Sequence, residues 1–459
     1  MIKDFLDQDV VSGYVAAVRK KLESGELDER AAPAAFTIGR GSSHPAAAIL
    51  AAFPETGAGP PSSGQSRHDV PFLSRDPAVS MLQTTLEDEA RKSGFVETPK
   101  HGGRFSHIVG AIEAIEHEVA SILHPVKFAS NDPDWVTKIA EATLDRIAQG
   151  NHPFNPQPAE FEIPQDDARV VIVGDWGSGL PRALDVARWM AEEVADALAH
   201  GRAVHVIHLG DVYYSGDIVE YQRRMLADGA WPVTVDQARA GVTSWTLNGN
   251  HDMYAGGYGY FETCLGDERF AGQRSADGKG TSFFRIKTPS WDLVGLDTSW
   301  NPEVLSKGLV GVLEDPQAEQ VIKWAAESER KLMILSHHQL ISAYDVGDLG
   351  TVLPYKLQPL LDGKRIAAWL WGHEHRCMGF ADAEQRIPFV RCIGHGGVPI
   401  PVETGAIPKP GIWLETESYA DQGENWHRFG FAVIDFDGRG GQIRYRDDEG
   451  TQTRVEQIA

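Results

Sequence analysis

The apolar positions of this chain change period once. In the first third they recur at helical spacing. Within FSHIVGAIEAIEHEVASILHP, Ile108, Ile112, Ile115, Val119 and Ile122 fall three and four residues apart, which is one face of a helix, and Pro125 ends it. KDFLDQDVVSGYVAAVRKKLESG and DPDWVTKIAEATLDRIAQGN read as further helices, the second with Asp132 or Asp134 near its cap. Residues 53–69, FPETGAGPPSSGQSRHD, form a Pro/Gly/Ser-rich loop. Near NPQPAEFEIPQDD short apolar runs begin to alternate with helical patterns such as RALDVARWMAEEVADALAHG, the signature of an α/β fold. The end of the chain alternates with period two around DGRGG and predicts a β-hairpin. The expected organisation is a mainly helical region over 1–160 and an α/β catalytic domain over 161–459, without internal repeats.

Composition narrows the function. The 459 residues exceed one ordinary core. With 65 acidic residues against 43 Lys and Arg, the formal charge of -22 argues against nucleic acid as a partner. An anionic substrate must then be attracted locally, for example by metal ions. Cys264, Cys377 and Cys392 form no CxxC pair, so no disulfide framework or zinc ribbon is expected. The N-terminus lacks a signal-peptide pattern and no apolar run is long enough for a bilayer, so a cytoplasmic protein with no membrane partner is the expectation.

Five buried-type strands end in metal-ligand chemistry. RVVIVGDWG ends at Asp175, VHVIHLGDVYY at Asp211, SWTLNGNHD at Asn250 and His251, KLMILSHH at His337 and His338, and AAWLWGHEH at His373 and His375. Ligands of open α/β sheets bind where the carboxyl ends of strands converge, so one shared site is expected. The donors suit two cations about 3.5–4 Å apart, bridged by Asp211 or Asp175. Mixed oxygen and nitrogen donors favour Zn, Fe or Mn over Ca or Mg. Two carboxylates leave net positive charge, which favours a bound hydroxide and an anionic substrate. In extended backbone, side chains at i and i+2 share a face. His373 and His375 would then both face the metals while Glu374 turns away. Neighbours such as Asn250 and His251, or His337 and His338, cannot easily both do so, and His337 is preferred.

At these residues GDWG, GDVYY, GNHD, ILSHH and GHEH resemble the calcineurin-like metallophosphoesterase superfamily, over roughly 168 to 450. Gly177 stands where the superfamily usually has the His of Asp-x-His, and Tyr214 follows Asp211 in a GDxxY pattern. Both features look like the purple acid phosphatase branch. The resemblance implies a four-layer α/β/β/α sandwich and two metal ions, Fe with Fe, Zn or Mn. It implies one site of Asp175, Asp211, Tyr214 and His375, and a second of Asp211, Asn250, His337 and His373, bridged by Asp211. His251 would contact the phosphate or leaving group, with Asp252 either orienting His251 or stabilising the turn. The expected reaction is hydrolysis of a small phosphomonoester by metal-hydroxide attack, with diesters as the alternative.

Other readings remain beside this one. VVIVGDWGSGLPRAL resembles the strand, Gly-rich turn and helix of a nucleotide-binding oxidoreductase, but it departs from G-x-G-x-x-G and leaves GNHD and GHEH unexplained. A non-catalytic metal-binding protein would have no use for His251. His205 and His208 lie inside a strand pattern and read as core or supporting residues, whereas Arg376, His395 and Asp297 are candidates for the pocket rim or indirect support.

Overall fold

The computed structural model describes residues 150–458 except 302–310, 343–351, 381–386, 401, 403–411 and 420–425, together with Ala142, Arg146 and Gln149, which are helical. The helices expected over the N-terminal region and the loop at 53–69 lie outside the described residues. All described residues fall in the unit Ile139–Ala459. β1 (Ala159–Glu162) pairs with β5 (Phe284–Lys287), so the folded unit takes in residues on both sides of the boundary expected at 160/161.

Two sheets form the body. The first has eight strands, with β1, β5, β6 (Trp291–Leu296), β7 (Lys331–Ser336), β8 (Ile366–Trp371), β10 (Phe389–Ile393), β9 (Cys377–Phe380) and β11 (Ile412–Leu414) in spatial order. The second has six, with β14 (Gln452–Ile458), β13 (Gly440–Asp447), β12 (Gly430–Asp437), β2 (Arg169–Val173), β3 (Val204–His208) and β4 (Thr243–Thr246) in order. The expected C-terminal hairpin is β12–β13, with Gly438 turning at positive φ.

Strand alternation builds the layers. Val170, Ile172, Ile207 and Ile434 of the second sheet share one core with Leu293, Met333, Leu335 and Leu370 of the first, so the sheets pack face to face. The intervening residues Val294, Leu332, Ile334 and Trp369 point the other way, into a second core with Ala318, Val321 and Trp324 of a helix at Asp315–Glu327. Helix Pro181–Ala199 packs against β2, β3 and β12. The expected four-layer α/β/β/α arrangement is thus formed.

Register sets the site. β2, β3 and β4 run parallel, with Val173 opposite His208 and His208 opposite Thr246. β7 and β8 run parallel in the other sheet, with Ser336 opposite Trp371. The five carboxyl ends are therefore level within each sheet, and the residues just beyond them meet at one rim. Among the described residues no helix is long and apolar enough to cross a membrane.

Candidate active site

The turns beyond these strands are not extended. Asp175, Asp211, His373 and His375 have φ of 55°, 75°, 65° and 50°, and they are four of the five described non-glycine residues at positive φ. Such backbone costs on the order of 1–3 kcal/mol per residue, and its concentration here marks a site rather than scattered turns. His373 and His375 do both face the cluster, but left-handed turns bring them there, not the expected alternation. Glu374 does turn away: its carboxylate accepts from Trp371 Nε1 at 3.0 Å and Ser342 Oγ at 2.5 Å. Asn250 and His251 begin a short helix, Asn250–Tyr254, which separates their side chains.

Two donor groups result. Ligand atoms of Asp175, Asp211 and His375 lie within 4.8 Å of one another, and so do those of His337, His338 and His373. Asp211 reaches both groups, since its Oδ2 is 3.4 Å from His337 Nε2. His375 Nε2 is 3.5 Å from Asp175 Oδ1, and Asn250 Oδ1 is 3.1 Å from His337 Nε2.

Tautomers follow from fixed acceptors. His337 Nδ1 is 2.9 Å from the Leu209 carbonyl and His251 Nδ1 is 2.6 Å from the Tyr214 carbonyl. A carbonyl can only accept, so each Nδ1 donates and each Nε2 carries a lone pair. Both lone pairs face Asp211 Oδ2, at 3.4 and 4.0 Å. Lone pair against carboxylate is unfavourable unless a cation or a proton lies between them. The carboxylates are fully buried, and their ionic partners among the described residues are imidazoles. Burial, with Asp175 and Asp252 nearby, pushes the Asp211 carboxyl well above its ordinary range. Burial pushes His251 down to about 3, so its imidazole is neutral here. Clustered buried carboxylates and converging lone pairs, with no Lys or Arg paired to those of Asp175 and Asp211 among the described residues, fit metal ions.

The structure corrects two expectations. The phenol at the Asp175 group belongs to Tyr213, not Tyr214. Tyr213 Oη lies 3.1 Å from both Asp175 Oδ1 and Asp211 Oδ2 and 2.9 Å from His375 Nε2. The Tyr214 ring instead lies under Arg224, 5.4 Å from the guanidinium, because Glu220 accepts from the Tyr214 amide and Arg224 donates to the Tyr213 carbonyl. The turn is thereby fixed with the first tyrosine inward. Tyr214 still serves the site through its carbonyl on His251.

Asp252 is the second correction. Its carboxylate does not orient His251. It accepts from the backbone N–H groups of Asp211 and Val212, each at 2.9 Å, from Gly249 N–H at 2.6 Å and from the Tyr221 hydroxyl at 2.8 Å. It clamps the ends of β3 and β4 together, which is the turn-stabilising alternative. Gly249 is forced by the same crowding, since a Cβ there would collide with the Asp211 carboxylate and lie 2.7 Å from His337 Cε1.

Other candidates divide by location. His205 and His208 are buried, with Nδ1 2.6 Å and 3.2 Å from Thr243 and Thr246 Oγ1. Asp297 accepts from the amides of Ser299 and Trp300, and Ser299 in turn approaches His338, so its support is indirect. Arg376 and His395 are buried near the rim. Glu220 was missed, although Asp217 and Glu220 form a capping box whose three-residue spacing is visible in the sequence.

The chain is similar in part to known proteins. The sequence profile of the calcineurin-like phosphoesterase family matches residues 168–377. The chain is 26% identical over 251 residues to tartrate-resistant acid phosphatase type 5 of Rattus norvegicus, covering 50% of this chain and 72% of that protein. Among solved structures, GAP50, the anchor in the inner membrane complex of Plasmodium, superposes with a TM-score of 0.45 at 11% identity, covering 64% of this chain and 89% of that one. Chaetomium thermophilum Vps29 superposes with a TM-score of 0.26 at 12% identity, covering 64% and 97%. Residues 168–377, which carry all five donor-bearing strand ends, are thus the part of the chain that is similar to the calcineurin-like phosphoesterase family.

Proposed function

We propose that this protein hydrolyses a phosphomonoester at a binuclear metal centre. The observation that carries the proposal is Asp211: one fully buried carboxylate lies within reach of both donor groups and faces two imidazole lone pairs. Similarity to a tartrate-resistant acid phosphatase favours a monoester over a diester.

In this reading Asp175, Asp211, His375 and Tyr213 would hold one ion, and Asp211, Asn250, His337 and His373 would hold the other. Bound metal ions supply a nucleophile at neutral pH and positive charge for the phosphoryl oxygens. The chain does the rest. Asp211 keeps the two groups in register, with its Oδ1 accepting from the His251 amide at 3.0 Å. Leu209 and Tyr214 hold the His337 and His251 rings by their Nδ1 atoms. His251 Nε2 faces the cluster as a proton carrier for the leaving oxygen. A bound phosphate's negative charge raises its proton affinity from the low value that burial imposes.

His251→Ala is expected to retain both ions and lower kcat by about 10²-fold. Metal analysis alongside assays on mono- and diesters checks this, and unchanged turnover would remove His251 from the reaction. A tyrosine on Fe(III) gives a visible charge-transfer band. In iron-loaded, oxidised protein, Tyr213→Phe is expected to lose that band and Tyr214→Phe to keep it. The reverse result would return the ligand role to Tyr214.

A further inference from the structure

The His337–His373 side of the site holds a third imidazole. His338 is fully buried, and its ring centroid lies 4.6 Å from that of His373 and 5.0 Å from that of His337. Its Nδ1 is 3.0 Å from Thr298 Oγ1 and 3.4 Å from Ser299 Oγ. Ser299 Oγ spends its proton on the Asn248 carbonyl, so it presents only lone pairs to His338. In the tautomer whose Nδ1 donates to Thr298 Oγ1, which also accepts from the His338 amide, Nε2 carries a lone pair. That Nε2 is buried without a hydrogen-bond partner. A buried polar atom left unpaired is costly, so its retention calls for a partner.

Two further contacts hold the ring where it is. Ser336 Oγ donates to the His338 carbonyl at 2.8 Å and itself accepts from Trp369 Nε1 at 2.8 Å. The His338 amide lies 3.3 Å from Thr298 Oγ1. Backbone and Nδ1 are thus anchored on β7, β8 and the turn after β6, and a ring nitrogen of His338 lies within 4.8 Å of ligand atoms of His337 and His373. This is the arrangement of a metal-binding histidine, in which an outer hydrogen bond fixes the tautomer and aims the other nitrogen.

We infer that His338 is an additional ligand of the ion at the Asn250, His337 and His373 side, giving that side three imidazoles. The inference rests on the binuclear reading above. Its consequence is metal choice. Three imidazoles favour Zn, Fe or Co over Mg or Mn, which prefer oxygen-rich sites. The expectation that adjacent histidines cannot easily both face the metals assumed an extended chain, and the chain leaves β7 at His337. The rings of His337 and His338 stand at 87° and flank His373.

The test uses the full chain, stripped of metal and reloaded with Zn(II) or Co(II). Wild type, His338→Ala and the volume-conserving His338→Phe are compared for ion stoichiometry, affinity and the Co(II) electronic spectrum. The expected result is one ion held as in wild type and the other weakened at least about 10-fold in both variants, with an altered Co(II) spectrum. Free imidazole is expected to restore affinity to His338→Ala. Retention of the first ion shows that the variants are folded. Two ions in wild type with unchanged affinity and spectrum in both variants would overturn the role of His338 alone. Fewer than two ions in wild type would overturn the binuclear reading and this inference with it.

Discussion

Asp211→Asn is expected to lower kcat by at least about 10³-fold and to abolish tight binding of one of two metal ions. The amide keeps the shape and can still accept from the His251 N–H, so the turn survives. What it loses is the charge that faces His337 and His251 from one side and shares the Asp175 group on the other. Stability is expected to move in the opposite direction once metal is removed. Burial and the neighbouring carboxylates raise the Asp211 carboxyl in the folded state above its unfolded value. Its contribution is therefore fully present below the unfolded value and is lost as pH rises through the folded one. Near neutral pH, metal-free wild type carries that cost and Asp211→Asn does not. In chelator, the Tm of Asp211→Asn should match or exceed that of wild type, with the gap widening as pH rises. With saturating metal the order should reverse, because ligand binding stabilises only the protein that can hold both ions. Full activity in Asp211→Asn, or a single ion bound equally by both proteins, would defeat the bridging role.

How much of this was legible depends on what each inference used. The five strand ends were readable because parallel strands put their following turns on one rim, and apolar runs ending in GD, GN, SH and GH mark those turns directly. The four layers were an implication of the resemblance, and the structure shows the patterning that supports them. Period-two runs buried on both sides, such as Met333 and Leu335 against Leu332 and Ile334, require cover on both faces. Side-chain direction inside the turns was not readable. The alternation rule assumed extended backbone at GHEH, where the chain is left-handed at His373 and His375. His373 and His375 do face the cluster, but through left-handed turns, and at His337–His338, where the rule disfavoured both neighbours facing one side, both rings lie beside His373.

Tyr213 and Tyr214 show the limit most plainly. Both follow Asp211, and pattern alone favoured the second. The decision lies with Glu220 and Arg224, which hold the turn's amide and carbonyl from a neighbouring helical segment. Nothing local to GDVYY encodes those contacts. The same is true of Asp252, which sits beside His251 in sequence while its carboxylate points back at the end of β3, 40 and 41 residues earlier.

Asp252→Ala is expected to destabilise the protein by about 3–6 kcal/mol. The carboxylate is fully buried and satisfies three backbone N–H groups and one phenol. Removing it leaves those donors unpaired, at roughly 1–3 kcal/mol each before relaxation. The loss also releases the left-handed backbone at Asp211, which is held against its own strain by the 2.9 Å bond to its amide. Activity should therefore fall through geometry, with metal affinity and Tm falling together. Asp252→Asn separates that from chemistry. It keeps an acceptor oxygen but turns an NH2 group toward donors, so an intermediate loss of stability is expected, with kcat and metal affinity declining in proportion. A catalytic carboxylate would behave differently, with kcat collapsing in Asp252→Asn while Tm and ion stoichiometry stayed at wild-type values. Calorimetry, metal analysis and turnover on the same three proteins decide between the two, and the clamp geometry predicts that all three move as one.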